Sequence, residues 1–260
     1  AKLTSTDEAA FDRFTSDPSS GVSIDEDGDV AAVGAITDGP SNNGSIYFFT
    51  RDSQGNWNQQ DEIQGASDAL LGISASISAD GDRAVVGARG LNGGNGAAFV
   101  YNRSGGTWSE EARIDPNNFA ANEQFGDAVS ISPDGERVLV ADEAADASAG
   151  TNQGVGYIYK RDQNGNWSLE DELVSDNAAA DHLLGISASL SGDGTNAQRA
   201  VMGAPLVDVD GNPDQGRATI FVRNGTSWTQ EDQITGGSGA TFPNTGESVS
   251  ISKDATRIIM

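Results

Sequence analysis

The 260-residue chain has no cysteine and a single histidine, His182. Disulfides and thiolate metal sites are excluded, while the compartment stays open because many secreted proteins lack disulfides. Cationic residues are scarce: 15 Lys and Arg stand against 39 Asp and Glu, for a net charge of −24. So acidic a chain repels a phosphate backbone, which argues against nucleic acid as a partner. The acids are scattered rather than gathered into a tail, so they read first as a solvated surface and second as a reservoir of cation ligands. No apolar run approaches the roughly 18 to 20 residues of a membrane-spanning helix, and no membrane insertion is expected. Helical periodicity is also missing, which disfavours parallel βαβ units. The chain opens AKLTSTDE without an initiator methionine, from which processing or fragmentation is expected.

What is abundant is repetition. Trp57, Trp108, Trp167 and Trp228 are spaced by 51, 59 and 61 residues, and each closes a turn: RDSQGNW, NRSGGTW, RDQNGNW and RNGTSW. Upstream of each lies an apolar run rich in aromatic and β-branched residues, GSIYFFTR, GAAFVYNR, GVGYIYKR and RATIFVRN, which reads as a strand. Before those stand DVAAVGA, DRAVVGA, ERVLVADEA and QRAVMGAP, and before those again GVSI, SASI, AVSI and SASL. A charged segment ending in an aliphatic follows each tryptophan, as in WSEEARI and WSLEDEL.

Each period therefore holds four short strands, and a period of 40 to 60 residues marks a propeller or solenoid. The expected fold is all-β, a β-propeller of four-stranded antiparallel blades, because radial repetition manages sheet edges. The small-sided first strand suits the crowded axis, and the charged fourth strand guards the outer edge. Asp80-Gly81 and Asp134-Gly135 are expected to form tight hairpin turns between the first two strands. Four complete repeats fall near 21–64, 72–115, 126–174 and 185–235, with a partial blade from 1–4 and 246–260. Two closures fit this count: a five-bladed ring with one defective blade, or part of a longer, seven-bladed chain. The ending inside the apolar Ile258-Ile259-Met260 favours the second.

These motifs resemble the FG-GAP repeat family, from which the head of integrin α-subunits is built, and its short-loop bacterial and marine-type branch most of all. The name's two halves stand here as Phe125-Gly126 and Gly203-Ala204-Pro205, with weaker copies at Leu71-Gly72, Gly87-Ala88, Leu184-Gly185 and Gly34-Ala35. The resemblance implies a non-enzymatic, extracellular or cell-surface binding or adhesion module that meets a protein or glycan ligand through loops on one face. The long, unlike connections at 36–44, 89–96, 142–154 and 205–216 are the recognition candidates. A structural subunit of a surface appendage, filament or virion, self-assembling through its chain-end strands, is one alternative; a polysaccharide-acting propeller enzyme is another. Integrin-like members carry a calcium loop between the first two strands of several blades, and the segments here, such as SISADGDRAVV, are too short for one.

One stretch does keep ligand spacing. In PLVDVDGNPDQG, Asp208, Asp210, Asn212 and Asp214 fall at alternate positions, as the first oxygens of a calcium loop would, so Ca2+ is a possible cofactor there. An Asp-, Asn- and Pro-rich surface turn has the same composition. Asp25, Asp27 and Asp29 form a weaker cluster. His182 has no accompanying nucleophile motif such as G-x-S-x-G, so it reads as a packed or exposed neutral ring, and no catalytic residue is assigned. The four tryptophans, with Phe125, Gly126, Gly203, Ala204 and Pro205, read as anchors of the repeat rather than as sugar-stacking platforms.

Overall fold

The computed structural model describes residues 21–116, 123–146, 150–192, 198–209, 211–236 and 244–260. The first sheet runs β1 (Val22–Ile24), β2 (Val30–Ala35), β3 (Ser45–Arg51) and β4 (Trp57–Gln64). The second runs β5 (Ala75–Ile77), β6 (Arg83–Gly87), β7 (Ala98–Ser104) and β8 (Thr107–Ile114). The third runs β9 (Val129–Ile131), β10 (Arg137–Asp142), β11 (Val155–Arg161) and β12 (Trp167–Leu173). The fourth runs β13 (Ser187–Leu190), β14 (Arg199–Ala204), β15 (Arg217–Asn224) and β16 (Ser227–Thr235). A hairpin of β17 (Ser250–Ile251) and β18 (Ile258–Ile259) follows. Within the sheets every strand pairing is antiparallel and spatial order equals chain order, while single parallel bridges, such as Gly44 to Leu71 and Gly96 to Phe125, link one blade to the next. The first strands neighbour one another in succession, β1 to β5 to β9 to β13 to β17. The architecture is that of propeller blades set around an axis.

The apolar side chains lie between blades. One cluster joins Phe48 and Ile46 of the first sheet to Tyr101 and Trp108 of the second; another joins Val100 of the second to Val138 and Tyr159 of the third. A third joins Ile158 and Leu139 of the third sheet to Phe221 and Trp228 of the fourth. Because β2, β6, β10 and β14 are covered on both faces, they read in sequence as nearly continuous small apolar runs instead of alternating.

Around the axis, a serine in each first strand bonds the next blade. The Oγ atoms of Ser23, Ser76, Ser130 and Ser189 accept the backbone N–H groups of Ile77, Ile131, Leu190 and Ile251 at 3.0, 3.2, 3.0 and 3.1 Å. First strands too short to satisfy their own amides are thus completed by side chains. The turns after them are longer than two-residue hairpins. Ser78 N bonds Arg83 O at 2.9 Å, so four residues lie between. Gly81 and Gly135 take positive φ of 69°, while Asp80 and Asp134 do not. The aspartates instead accept the hydroxyls of Ser78 and Ser132, whose oxygens in turn accept Arg83 N and Arg137 N. A Ser-x-Asp-Gly turn has replaced the Asp-Gly hairpin expected from the dipeptide alone.

Candidate functional site: blade junctions and the loop face

Each fourth strand carries a β-bulge three residues after its tryptophan. Register shifts lie between Phe48/Phe49, Val100/Tyr101, Ile158/Tyr159 and Ile220/Phe221, leaving Gln60, Glu111, Glu170 and Glu231 as the unpaired extra residues. A bulge re-aims its side chain, and here it aims two glutamates at the next blade. Glu170 accepts Arg137 of its own sheet at 2.8 Å, and Arg223 and the Trp228 indole of the next at 2.9 and 3.2 Å. Glu111 does the same with Arg83 at 3.1 Å, Arg161 at 2.6 Å and the Trp167 indole at 2.9 Å. Burial alone would raise the Glu170 carboxyl, but the Arg137, Arg223 and Trp228 bonds outweigh it and hold the group at about 2.

Gln60 departs from this pattern. It accepts Arg103 at 3.1 Å, and the buried Trp108 indole nitrogen is left without a partner. Trp108 is anchored instead by stacking on Phe48, with ring centroids 4.0 Å apart and planes 12° apart, and by its backbone N–H on Asp61 at 2.8 Å.

At the opposite end of the sheets, two families of connection meet. The loops from second to third strand (36–44, 88–97, 143–154 and 205–216) lie against the segments that enter the next blade. The contact recurs: Leu71 N, Phe125 N, Leu184 N and Thr245 N bond Asn43 O, Asn95 O, Gln153 O and Gln215 O at 3.0 to 3.1 Å. Phe125 is fully buried beside Tyr157 and Tyr159, with ring centroids at 5.5 and 6.5 Å. The glycine after it, Gly126, has φ 91°, open to glycine at little cost, and its carbonyl packs against Gly87, where any Cβ would collide with it. Gly203, of Gly203-Ala204-Pro205, meets the Gly246 carbonyl in the same way. The two halves of the repeated motif are thus the two sides of one close backbone approach.

In the third sheet Ala141 and Asp142 stand where the other copies read Gly-Ala. Asp142 is completely buried, and neither carboxylate oxygen has a hydrogen-bond partner. Burial, and after it the charge of Glu123, pushes its pKa up to about 8, while the nearby Ala144 and Ala145 amides only moderate the rise. The signal was present in sequence as VADEA among copies of VGA.

The candidate calcium loop is closed on itself. Val209 and Asn212 exchange backbone hydrogen bonds at 3.1 and 2.9 Å, and Asp208 Oδ1 accepts Asp214 N at 3.1 Å; Asp210 lies outside the described residues. Asp25 Oδ1 accepts the amides of Asp29 and Val30 at 2.9 and 3.1 Å, capping the first turn where other blades use serine. Among the described residues no group of three or more His, Asp or Glu converges as a metal site. His182 Nδ1 accepts Ala179 N at 3.2 Å, and burial, then Arg217, lowers its pKa. The axial channel, about 250 Å3, is lined by serines, alanines and valines, with Glu247 the acid among the described lining residues.

Residues 1–49 and 108–159 match the family model of the FG-GAP repeat, a structural, non-catalytic unit. No curated protein matches the chain.

Proposed function

We propose that this β-propeller-like chain with FG-GAP repeats is an extracellular binding or adhesion module that meets a protein or glycan ligand through the loops between second and third strands. The observation carrying this reading is the contrast between the two ends of the sheets. At one end the turns at 78–83, 132–137 and 252–257 repeat one set of serine and aspartate bonds; at the other, 36–44, 88–97, 143–154 and 205–216 differ in length and sequence while rising from identical Gly-anchored bases. Binding residues concentrate on loops held by a rigid scaffold, and fold alone does not choose the ligand. Calcium, if it contributes, would do so at 208–214, which is open to a direct melting test.

The experiment is to probe an array of extracellular matrix proteins and glycans with the wild-type chain and with a variant whose 206–213 tip is replaced by a Gly-Asn turn. A ligand held by wild type and lost or weakened in the variant supports the reading. Retention of every ligand by variants replacing all four tips overturns it. A second reading, a subunit of a surface assembly, draws on Val22 and Ile24, 49 and 55% exposed on β1, and Ile259, 74% exposed on β18. Concentration-dependent sedimentation would favour it.

A further inference from the structure

We propose that the groove between the second and third sheets binds an uncharged carbohydrate. The groove is a cavity of about 350 Å3, open to solvent, between β8 and the β11–β12 hairpin, lined by Ala112, Arg113, Asp115, Tyr159, Asn166 and Trp167 beside Glu111. Its size falls within the range of small-molecule sites, roughly 300 to 1,000 Å3. The groove runs along the outer strands, with Arg113 and Asp115 at its end bonded to Asn92 of the 88–97 loop at 3.3 and 3.4 Å, and the Trp167 readout below keeps its test separate from replacement of the 206–213 tip.

The cavity exists because two residues that fill the other junctions are truncated here. Between the first and second sheets, Phe48 stacks on Trp108 and Asp61 accepts its backbone N–H. Between the third and fourth, Ile158 packs in the cluster with Trp228, and Asp171 accepts the Trp228 backbone N–H at 2.6 Å. At the intervening junction the corresponding residues are Val100 and Ala112, direct partners across β7 and β8. Trp108 and Trp228 are consequently 4 and 6% exposed, whereas Trp167 is only half-buried and lines the opening.

The lining selects the ligand class. Glu111 is neutralised by Arg83 and Arg161, and Arg113 is paired with Asp115 at 2.6 Å, so neither an anion nor a cation finds an uncompensated partner. The half-buried Trp167 ring, beside the Asn166 amide that both donates and accepts hydrogen bonds, matches a sugar ring, whose C–H face is apolar and whose rim is hydroxylated. Tyr159, more than nine-tenths buried, has a hydroxyl without a hydrogen-bond partner in the protein. Burial, then Glu172 and Asp115, pushes its pKa up to about 12, so it remains a neutral donor and acceptor, and a buried hydroxyl gains from a polar partner. The net charge of −24 disfavours uronic or sulfated sugars.

The test titrates neutral β-1,4-linked trisaccharides of glucose, mannose, galactose and N-acetylglucosamine, with trigalacturonate as the charged control, while following the four indole N–H signals by NMR. At least one neutral trisaccharide is expected to shift the Trp167 signal, and trigalacturonate to leave it in place. Ala112→Phe, which fills the groove from a partly exposed outer strand, should weaken that binding by at least about tenfold. Ala112→Asp, which copies the residue at 61 and 171, should do the same and provides the reading if the phenylalanine variant fails to fold. Absence of a Trp167 shift with all four neutral sugars, equal binding by the folded variants, or preference for trigalacturonate would each overturn the proposal.

Discussion

Replacing Asp142 by alanine, the residue that occupies the same place at 35, 88 and 204, should make the protein more stable, and increasingly so as pH rises. Asp142 is fully buried with both oxygens unpartnered, beside Glu123, Glu143 and Tyr157. Its pKa stands near 8 in the folded chain against about 3.9 for an ordinary aspartate. Below pH 4 the group is protonated in both states and contributes nothing to the pH dependence. Between pH 4 and 8 the unfolded chain ionises while the folded one holds its proton, so stability falls with rising pH and the loss levels off above 8. About four pKa units at about 1.4 kcal/mol each give a penalty of about 5 to 6 kcal/mol at the plateau, an upper figure because local opening relieves part of it. Urea denaturation from pH 4 to 9 measures this. The difference in unfolding free energy between Asp142→Ala and wild type should widen by several kcal/mol across the range, with Asp142→Asn behaving more like alanine than like wild type. Parallel curves would show instead that Asp142 is ionised or solvated in the folded chain.

Four further outcomes follow from the junctions and loops. Glu170→Ala strands the buried Arg137 and the half-buried Arg223 and should cost about 3 kcal/mol, whereas Glu231→Ala, whose pair with Arg199 is solvent-exposed, should cost under about 1 kcal/mol; urea midpoints distinguish them. Because the Glu170 carboxyl is lowered to about 2, its contribution is present above the ordinary glutamate pKa and is lost as pH falls toward 2, so the Glu170→Gln curve should converge on wild type in acid. Gly203→Ala places a methyl against the Gly246 carbonyl and should cost about 2 to 3 kcal/mol, while Ala141→Gly, in the one copy that already carries alanine, should change stability by about 1 kcal/mol or less. Adding a calcium chelator should leave the melting midpoint unchanged, since Asp208 and the Val209–Asn212 pair close the 208–214 loop internally; a fall in Tm would restore calcium as a ligand of the folded state.

The blades were legible because apolar periodicity, Gly-bounded runs and one tryptophan turn recur in fixed order, and each is a local signal. Less legible was what joins the blades. That Glu111 and Glu170 reach Arg161 and Arg223 depends on a bulge, and a bulge is a property of register between two strands, which neither strand's own pattern states. The serines at 23, 76, 130 and 189 looked like small residues chosen for a crowded axis, and their hydroxyls prove to be acceptors for the neighbouring blade. Asp80 and Asp134 suggested two-residue hairpins because Asp-Gly favours them, but the preceding serine extends the turn and employs the carboxylate differently. Asp142 was visible as a break in a repeated alanine, yet only its burial gives that break a physical consequence.

Repeated motifs pack the blades into a scaffold, and the proposed recognition role falls to the unlike loops. Amide hydrogen exchange on the unmodified chain tests this division most directly. Ile77, Ile131, Leu190 and Ile251, whose amides are held by serine hydroxyls of the preceding blade, should exchange as slowly as the paired amides of β2, β6, β10 and β14. The tips near 39–42, 92–94 and 211–213 should exchange orders of magnitude faster. Junction amides that exchange at the rate of the loop tips would contradict it.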